Sequence, residues 1–208
     1  MYRYFVKRCI DFLLSTLGLV ILSPLYLLIA LAIVVDDPGP VFFRQKRVGL
    51  HKDYFNIVKF RTMKMETPHD TPTHLLKDPQ RYITRVGRIL RKTSLDELPQ
   101  IAQIWTGKMS IVGPRPALWN QYDLIALRDE NGANDVLPGL TGWAQINGRD
   151  ELEIAVKAAY DGEYVKNMSF LFDCKCFLGT IIKVFRREGI VEGCVETKTG
   201  EPEERVGR

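Results

Sequence analysis

The stretch FLLSTLGLVILSPLYLLIALAIVV, residues 12–35, decides the fold because it contains no charged residue. As an α-helix it is long enough to cross the hydrocarbon core of a bilayer, which is about 30 Å thick. A secretory signal peptide is the simplest alternative, since Arg3, Lys7 and Arg8 precede the stretch. However, the apolar run is too long for a signal peptide, and residues 36–38 (DDP) are not a small-residue cleavage site. We therefore predict a membrane helix here.

The charges on both sides favour a segment that enters and leaves the membrane by the same face. Basic residues occur within residues 3–8 and again within residues 44–52, and basic flanks prefer the cytoplasmic side. Ser23-Pro24 lies near the midpoint, where proline removes a backbone donor and serine can bond a freed carbonyl. Each arm of about 11 residues would extend roughly 16 Å. We predict a re-entrant helix broken at Ser23 and Pro24, with a proline-kinked spanning helix as the alternative.

The composition of the whole chain excludes several classes of protein. Of its 208 residues, 46% are hydrophobic and 26% are charged, which fits neither a disordered chain nor a polytopic membrane protein. The net charge of +4 is small, and no basic stripe with interleaved aromatic residues is visible, so we expect no nucleic acid partner. The same excess suits a surface that faces anionic lipid or phosphorylated substrates.

The remaining pattern predicts an α+β, mainly helical protein in three parts. Residues 1–36 form the re-entrant membrane helix hairpin, residues 37–190 a catalytic domain, and residues 191–208 a polar tail. Two short strands at residues 41–44 and 54–60 predict a small β-hairpin. Helices are predicted at residues 81–90, 95–106, 118–128, 154–166 and 170–187, with a short strand within residues 109–116. The helix at residues 170–187 is amphipathic, which fits a core helix or a helix in the membrane interface.

Two neighbouring carboxylates, Asp96 and Glu97, lie in the stretch RKTSLDELPQ, residues 91–100. Ser94 and Glu97 have the spacing of a capping box, in which each side chain bonds the other residue's backbone amide. In that interpretation Asp96 occupies the first turn of a helix, where the dipole favours a negative charge. A catalytic carboxylate pair is the alternative, and the residues alone leave both interpretations open.

Lys59 and Arg61 are candidates for binding a diphosphate. They are two residues apart on the second predicted strand, so they share one face of it. A guanidinium binds phosphate oxygens in a fork, while an ammonium acts as a point charge. A solvated sheet face is the alternative.

Two further segments predict contacts with a phosphate or nucleotide. Arg115 stands between Pro114 and Pro116, which restrict the backbone on both flanks and so direct its side chain. Residues 138–149 combine glycines, which permit close backbone approach, with amide and guanidinium groups. The candidate ligands in that segment are Gln145, Asn147 and Arg149.

Five separate motifs, in this order, resemble those of the monotopic phosphoglycosyl transferases, also called the bacterial sugar transferase family. They are Ser23-Pro24, residues 59–63 (KFRTM), residues 91–100, residues 113–116 (GPRP) and residues 138–149. The similarity runs from about Lys7 to Arg187. The chain is similar to the minimal catalytic form of the family, and in particular to capsule-type members.

The resemblance implies a covalent, two-step transfer. Asp96 would attack the β-phosphorus of a UDP-sugar and expel UMP, while Glu97 would assist in metal or proton handling, with Mg²⁺ shared between both carboxylates and the diphosphate. Polyprenyl phosphate, in particular undecaprenyl phosphate, would then take the sugar phosphate from Asp96. The residues expected near substrate are Lys59, Arg61, Arg91, Arg115, Gln145, Asn147 and Arg149.

The resemblance also implies a location and partners. It favours the re-entrant helix, with interfacial amphipathic helices around an active site on the cytoplasmic face of the inner membrane. Membrane lipids, and downstream glycosyltransferases of capsule or exopolysaccharide assembly, would be partners. The capsule-type similarity favours an N-acetylated hexose. Two rival hypotheses stay open: a membrane-tethered UDP-sugar hydrolase with water as the acceptor, and a non-catalytic membrane adaptor for polysaccharide assembly.

Overall fold

The computed structural model describes residues 2–67, 79–148 and 152–186. Within these ranges the chain is mostly helical with a small antiparallel sheet, as predicted. The helices are α1 (Lys7–Asp36), α2 (Arg85–Thr93), α3 (Gln100–Trp105), α4 (Tyr122–Asn131), α5 (Trp143–Ile146), α6 (Ile154–Asn167) and α7 (Phe170–Arg186). The strands are β1 (Phe42–Val48), β2 (Tyr54–Phe60), β3 (Ser110–Val112) and β4 (Gly139–Thr141). The predicted tail, residues 191–208, lies outside the described residues.

Helix α1 is the one helix in the described part of the chain that is long and apolar enough to cross a membrane. It continues from Lys7 to Asp36 with Pro24 inside it. The Ser23 hydroxyl donates to the carbonyl of Val20 at 2.8 Å, the back-bond expected beside a proline. Because the helix is continuous through Ser23-Pro24, the predicted break is not confirmed.

Both ends of α1 contact the same globular body. Near its start, the Arg8 guanidinium donates to the carbonyl of Ile104 at 2.8 Å. Near its end, Ile29 and Ile33 are buried in a cluster with Phe60 and Leu90. The opposite face of α1 leaves large apolar side chains exposed, at Phe12, Leu13, Leu14, Leu17, Val20, Ile21, Leu27, Leu28, Leu31, Val34 and Val35. One face of the helix therefore packs on protein, and the other has no covering among the described residues.

Strands β1 and β2 form the predicted antiparallel hairpin. Their register pairs Phe42 with Phe60 at one end and Val48 with Tyr54 at the other. β1 is longer than the predicted strand at residues 41–44, because cross-strand pairing continues up to the turn, where the Gly49 amide donates to the carbonyl of Asp53 at 2.6 Å. The hairpin carries Lys59 close to its end, next to Phe60.

Strands β3 and β4 pair in parallel and bring two distant motifs together. Ser110 pairs with Gly139, and Val112 pairs with Thr141. A Cβ atom on Gly139 would lie only 2.2 Å from the backbone nitrogen of Gly113, so a side chain at residue 139 would prevent this approach. The sequence predicted β3, but it treated β4 as part of a glycine-rich loop. The absence of side chains at these glycines therefore lets the backbone of the GPRP segment lie directly against residues 138–148.

The predicted helix at residues 95–106 is wrong in its first part. Residues Leu95–Glu97 form a 3₁₀ turn, and α3 begins only at Gln100. Ser94 is in the left-handed conformation with φ of 57°, which turns the chain sharply out of α2. The two carboxylates therefore lie on a tight turn between α2 and α3 rather than along a regular helix.

Helix α7 has a buried side and an exposed apolar side. Asp173 and Cys176 are buried, and Cys176 packs with Val112 and Tyr164. The exposed apolar side chains are Phe170, Leu171, Phe177, Leu178, Ile181 and Ile182. The sequence left a core helix and an interfacial helix as alternatives, and α7 combines a core contact with an uncovered apolar face.

Candidate active site

The predicted capping box at Ser94 and Glu97 does not form. An N-cap residue normally has an extended backbone and accepts a bond from an amide two or three residues later. Ser94 instead is left-handed, makes no capping bond with its side chain, and ends α2 by donating its amide to the carbonyls of Leu90 and Arg91. The interpretation of residues 94–97 as an ordinary helix start is therefore wrong.

Glu97 is bound by two cations from different parts of the fold. The Lys59 ammonium, from β2, lies 2.7 Å from Oε1 of Glu97. The Arg115 guanidinium, from the GPRP segment after β3, donates to Oε1 at 2.5 Å and to Oε2 at 3.2 Å. Burial acts to raise the pKa of Glu97, but Arg115 and Lys59 outweigh it and hold the pKa of that carboxyl well below its usual range. Glu97 is therefore a fixed anion between two cations.

Asp96 is in a different environment from its neighbour. Its Oδ2 atom is 3.9 Å from the Lys59 ammonium, and it accepts no hydrogen bond from the part of the chain that the structure describes. Burial raises the pKa of Asp96, and the nearby charge of Glu97 raises it further, while Lys59 acts in the opposite direction. The two carboxylates are thus adjacent in sequence but have pKa shifts of opposite sign, a pattern that is typical of groups with different chemical roles.

The structure brings Arg91 close to this pair but not Arg61. The Arg91 guanidinium donates to the Thr62 hydroxyl at 2.9 Å, and its charge lowers the pKa of Asp96. Arg61 is buried and donates to the side chain and the carbonyl of Asp37, just after α1. The two-residue alternation that put Lys59 and Arg61 on one face applies only within a strand, and β2 ends at Phe60. Arg61 thus connects the end of α1 to the sheet.

A cleft of about 270 Å³ lies beside Glu97 and Arg115. Its walls come from the turn between α2 and α3, from β3 and β4, and from α5 and α7. The lining residues are Ser94, Glu97, Leu98, Ile111, Arg115, Leu140, Thr141, Gln145, Ile146, Phe177, Thr180, Ile181 and Lys183. Glu97, Arg115 and the cleft therefore form one continuous site.

The residues predicted in the glycine-rich segment have different positions. Gln145 is buried in the cleft, and neither polar atom of its amide has a hydrogen-bond partner among the described residues. Asn147 is exposed outside the cleft, and its amide donates to the carbonyl of Trp143 at 2.8 Å. Arg149 lies outside the described residues. Gln145 is therefore the member of this segment that the fold brings to the site.

Sequence reasoning missed Lys183 and Thr141 as residues of the site. Lys183, on the amphipathic helix predicted at residues 170–187, lines the same cleft as Glu97. Lys183 is three residues after Thr180, so both residues lie on one side of α7. The hydroxyls of Thr180 and Thr141 form a hydrogen bond, which connects α7 to β4. Because no spacing rule relates residues on α7 to residues on β4, the sequence contains no indication of this contact.

The carboxylates fit a magnesium ion only together with a substrate. Among the described residues no group of three or more His, Cys, Asp or Glu side chains converges. Mg²⁺ is commonly held by one or two carboxylates plus the phosphate oxygens of a substrate. Both Glu97 oxygens already bind cations. Asp96 is mostly buried and has no hydrogen-bond donor within residues 2–67, 79–148 and 152–186, so it is the carboxylate that gains most from a bound cation. The donor set therefore fits a metal that arrives with a diphosphate.

Comparison with known proteins extends over nearly the whole described chain. The family described as bacterial sugar transferase matches residues 2–187. The UDP-glucose:undecaprenyl-phosphate glucose-1-phosphate transferase of Escherichia coli strain K12 is 41% identical over 187 residues, which are 86% of this chain and 40% of that protein. The uncharacterized sugar transferase EpsL of Bacillus subtilis strain 168 is 43% identical over 188 residues, 89% of this chain and 90% of EpsL.

A third relative comes from another bacterial group. The exopolysaccharide production protein ExoY of Rhizobium meliloti strain 1021 is 36% identical over 200 residues, 88% of this chain and 87% of ExoY. The chain thus spans less than half of the E. coli relative but most of EpsL and ExoY. The match includes α1, the carboxylate turn, the GPRP segment and α7, and so contains all the elements that build the site. The chain belongs to the bacterial sugar transferase family.

Proposed function

We propose that this protein transfers a sugar 1-phosphate from a UDP-sugar to polyprenyl phosphate, releasing UMP and forming a polyprenyl-diphospho-sugar. The observation that carries the proposal is the unequal carboxylate pair: Glu97 is held between Lys59 and Arg115, while Asp96 has no hydrogen-bond donor among the described residues. The name of the E. coli relative supports the same reaction class for this chain. Undecaprenyl phosphate is the acceptor that this relative's name suggests.

Asp96 is the nucleophile in this proposal. A carboxylate oxygen of Asp96 attacks the β-phosphorus, the bond from that phosphorus to the bridging oxygen breaks, and UMP leaves with the electron pair. The product is an acyl phosphate that carries the sugar on Asp96. A carboxylate bound on both oxygens by cations, as Glu97 is, would be a weaker nucleophile, since its lone pairs are already engaged.

The second half of the reaction restores Asp96. A phosphate oxygen of polyprenyl phosphate attacks the same phosphorus, and the bond to the Asp96 oxygen breaks, which returns the free carboxylate. Dividing the transfer into two displacements lets the two phosphate anions arrive one after the other. Lys59 and Arg115 neutralise negative charge next to the transferring phosphoryl group in both halves.

Mg²⁺ bound by Asp96, with Glu97 beside it, would supply charge neutralisation on the donor diphosphate. The chain's own contribution is to keep Glu97 ionised through Lys59 and Arg115, and to keep both carboxylates on a rigid turn. Gln145, with its buried amide, is available to bind a polar group of a substrate.

We assign the catalytic domain to the cytoplasmic face of the inner membrane, with α1 re-entrant. The attachment of both ends of α1 to one body supports this topology, because a straight spanning helix would place its ends on opposite sides of the bilayer. The uncovered apolar faces of α1 and α7 would then contact lipid. Downstream glycosyltransferases of exopolysaccharide or capsule assembly would use the lipid-linked product.

UMP release by the purified full-length protein in lipid nanodiscs tests the proposal. The assay contains Mg²⁺ and one donor at a time from UDP-glucose, UDP-galactose and UDP-N-acetylhexosamines, with and without undecaprenyl phosphate. Net UMP release that requires the lipid supports the transferase. Release at the same rate without lipid would support the hydrolase, in which water replaces the acceptor. No release with any donor would contradict the enzymatic proposal and favour the adaptor.

A further inference from the structure

We propose that the cleft beside Glu97 binds the first isoprene units of the lipid acceptor, and that Phe177 and Ile181 of α7 form its entrance from the membrane. This inference rests on the proposed transferase function, and it identifies where the acceptor's hydrocarbon chain binds.

The walls of the cleft match a hydrocarbon chain better than a nucleotide sugar. Most of the wall is apolar, and the apolar lining residues are Leu98, Ile111, Leu140, Ile146, Phe177 and Ile181. A UDP-sugar is polar along its whole length, so an apolar wall would remove its water without replacing the lost hydrogen bonds. A prenyl chain loses no hydrogen bonds on entering the same space.

The cleft opens on the uncovered apolar face of α7. Phe177 and Ile181 line the cleft, yet 45% and 38% of their surfaces remain exposed, beside Leu178 and Ile182 on the same helix. They therefore belong both to the cleft and to the face proposed to contact lipid. A polyprenyl chain can pass along these two side chains from the bilayer to the site without crossing water, which would be unfavourable for a chain of this kind.

The charged part of the lining suits the acceptor's head group. Arg115 and Lys183 both line the cleft, and a phosphate monoester carries one to two negative charges at neutral pH. Arg115 also contacts Glu97, the neighbour of the proposed nucleophile, so a phosphate held by Arg115 would be close to the sugar phosphate on Asp96.

The size of the cleft limits what enters it. A volume of about 270 Å³ is at the small end of the range for ligand pockets, which is about 300–1,000 Å³. It therefore takes only the part of the chain next to the phosphate, while the rest stays in the bilayer. We expect the site to recognise the head of the lipid and to be indifferent to its total length.

Two neighbouring isoleucines provide a matched test. Ile181 lines the cleft and Ile182 does not, although both are exposed on the apolar side of α7. In full-length protein in nanodiscs, I181N and I182N are compared for kcat and KM with undecaprenyl phosphate and with the UDP-sugar. The first half-reaction is measured separately, as exchange of labelled UMP into UDP-sugar without lipid. Phe177→Ser and Leu178→Ser form a second pair with the same geometry.

The expected result is a rise of about tenfold in KM for undecaprenyl phosphate in I181N, corresponding to about 1.4 kcal/mol. UMP exchange should be unchanged in I181N, which also shows that the variant is folded, and I182N should leave the lipid KM within about twofold. Equal effects in I181N and I182N would overturn the inference and indicate membrane contact alone. A loss of UMP exchange in both I181N and Phe177→Ser would overturn it by assigning the cleft to the donor. If the wild type exchanges UMP and uses the lipid, but I181N has the wild-type KM for undecaprenyl phosphate, only this inference fails. If the wild type neither exchanges UMP nor uses the lipid, the proposed function fails.

Discussion

Lys7 and Asp173 form a buried ion pair that joins the first residue of α1 to α7, with the Lys7 ammonium 2.6 Å from Oδ2 of Asp173. Tyr2 and Tyr164 donate their hydroxyls to the same carboxylate at 2.5 and 2.8 Å, so Asp173 accepts three bonds. The Tyr164 hydroxyl also lies 3.0 Å from the carbonyl of Val112, at the end of β3. The two elements with uncovered apolar faces are thus fixed to each other by a polar cluster beneath them.

Loss of the Lys7 charge should destabilise the protein strongly. Lys7→Met leaves the Asp173 carboxylate buried without its cation, which typically costs about 3–5 kcal/mol. The measurement is the free energy of unfolding, or the shift in Tm, of the detergent-solubilised protein. Lys52→Met is the matched control, because its ion pair with Asp129 is exposed, and exposed ion pairs contribute little to stability. Equal changes in Tm in both variants would show that the buried ion pair contributes no more to stability than the exposed one.

Asp96→Asn should abolish both the exchange of UMP and the net transfer, by about 10⁴-fold or more, because the amide is not a nucleophile. Intact-mass spectrometry of the wild type with donor alone should find an added sugar phosphate, and this mass should be absent from Asp96→Asn. Glu97→Gln, the neighbouring carboxylate variant, should be slow but still acquire the adduct. An adduct that persists in Asp96→Asn and disappears in Glu97→Gln would exchange the roles assigned to the two carboxylates.

Replacement of Arg115 should test the two-point contact with Glu97. Arg115→Lys keeps the charge but loses the fork, so we expect a fall in kcat of about 10²–10³-fold. Arg47→Lys is a comparison with an arginine that donates to the carbonyl of Pro116 and to the side chain of Gln45. Steady-state kinetics with the preferred donor measures both variants. An Arg115→Lys enzyme with normal kcat would show that position 115 needs only a positive charge.

Replacing Lys59 should shift the acidic limb of the pH–rate profile of the first half-reaction to higher pH than in the wild type. Burial raises the pKa of Asp96, and only the ionised carboxylate is a nucleophile, so activity is present above this pKa and is lost as the pH falls through it. Lys59→Met removes a cation that lowers the pKa of Asp96, so the loss of UMP exchange on acidification should begin at a higher pH than in the wild type. The rate of UMP exchange measured from about pH 4 to 8 tests this. An acidic limb that moves down in Lys59→Met would contradict the assignment.

The topology of α1 should be visible in cysteine labelling. Tyr4→Cys and Pro40→Cys, each in a protein whose native cysteines are replaced by serine, put one exposed thiol before α1 and one after it. A re-entrant helix predicts that a membrane-impermeant maleimide labels both in inside-out vesicles and neither in sealed right-side-out ones. If each orientation labels only one of the two thiols, α1 spans the bilayer and the re-entrant proposal is wrong.

The sequence alone determined features that depend on local pattern. The uncharged stretch at residues 12–35 identified α1, the short run rich in aromatic and β-branched residues at 54–60 identified β2, and the amphipathic period identified α7. Five motifs in order identified the family. These predictions succeeded because hydrophobic periodicity and charge-free length are imposed on each element by its own environment.

Only the tertiary structure decided how the carboxylates differ. Asp96 and Glu97 are adjacent and both carry a carboxylate, but Lys59 and Arg115 approach Glu97 from two remote elements. In the part of the chain that the structure describes, Asp96 accepts no hydrogen bond. The left-handed Ser94 replaced a helix start with a tight turn, and the end of β2 at Phe60 separated Arg61 from Lys59. Lys183 joined the site across the fold. Side-chain partners of this kind depend on packing between elements far apart in the chain, which no local period encodes.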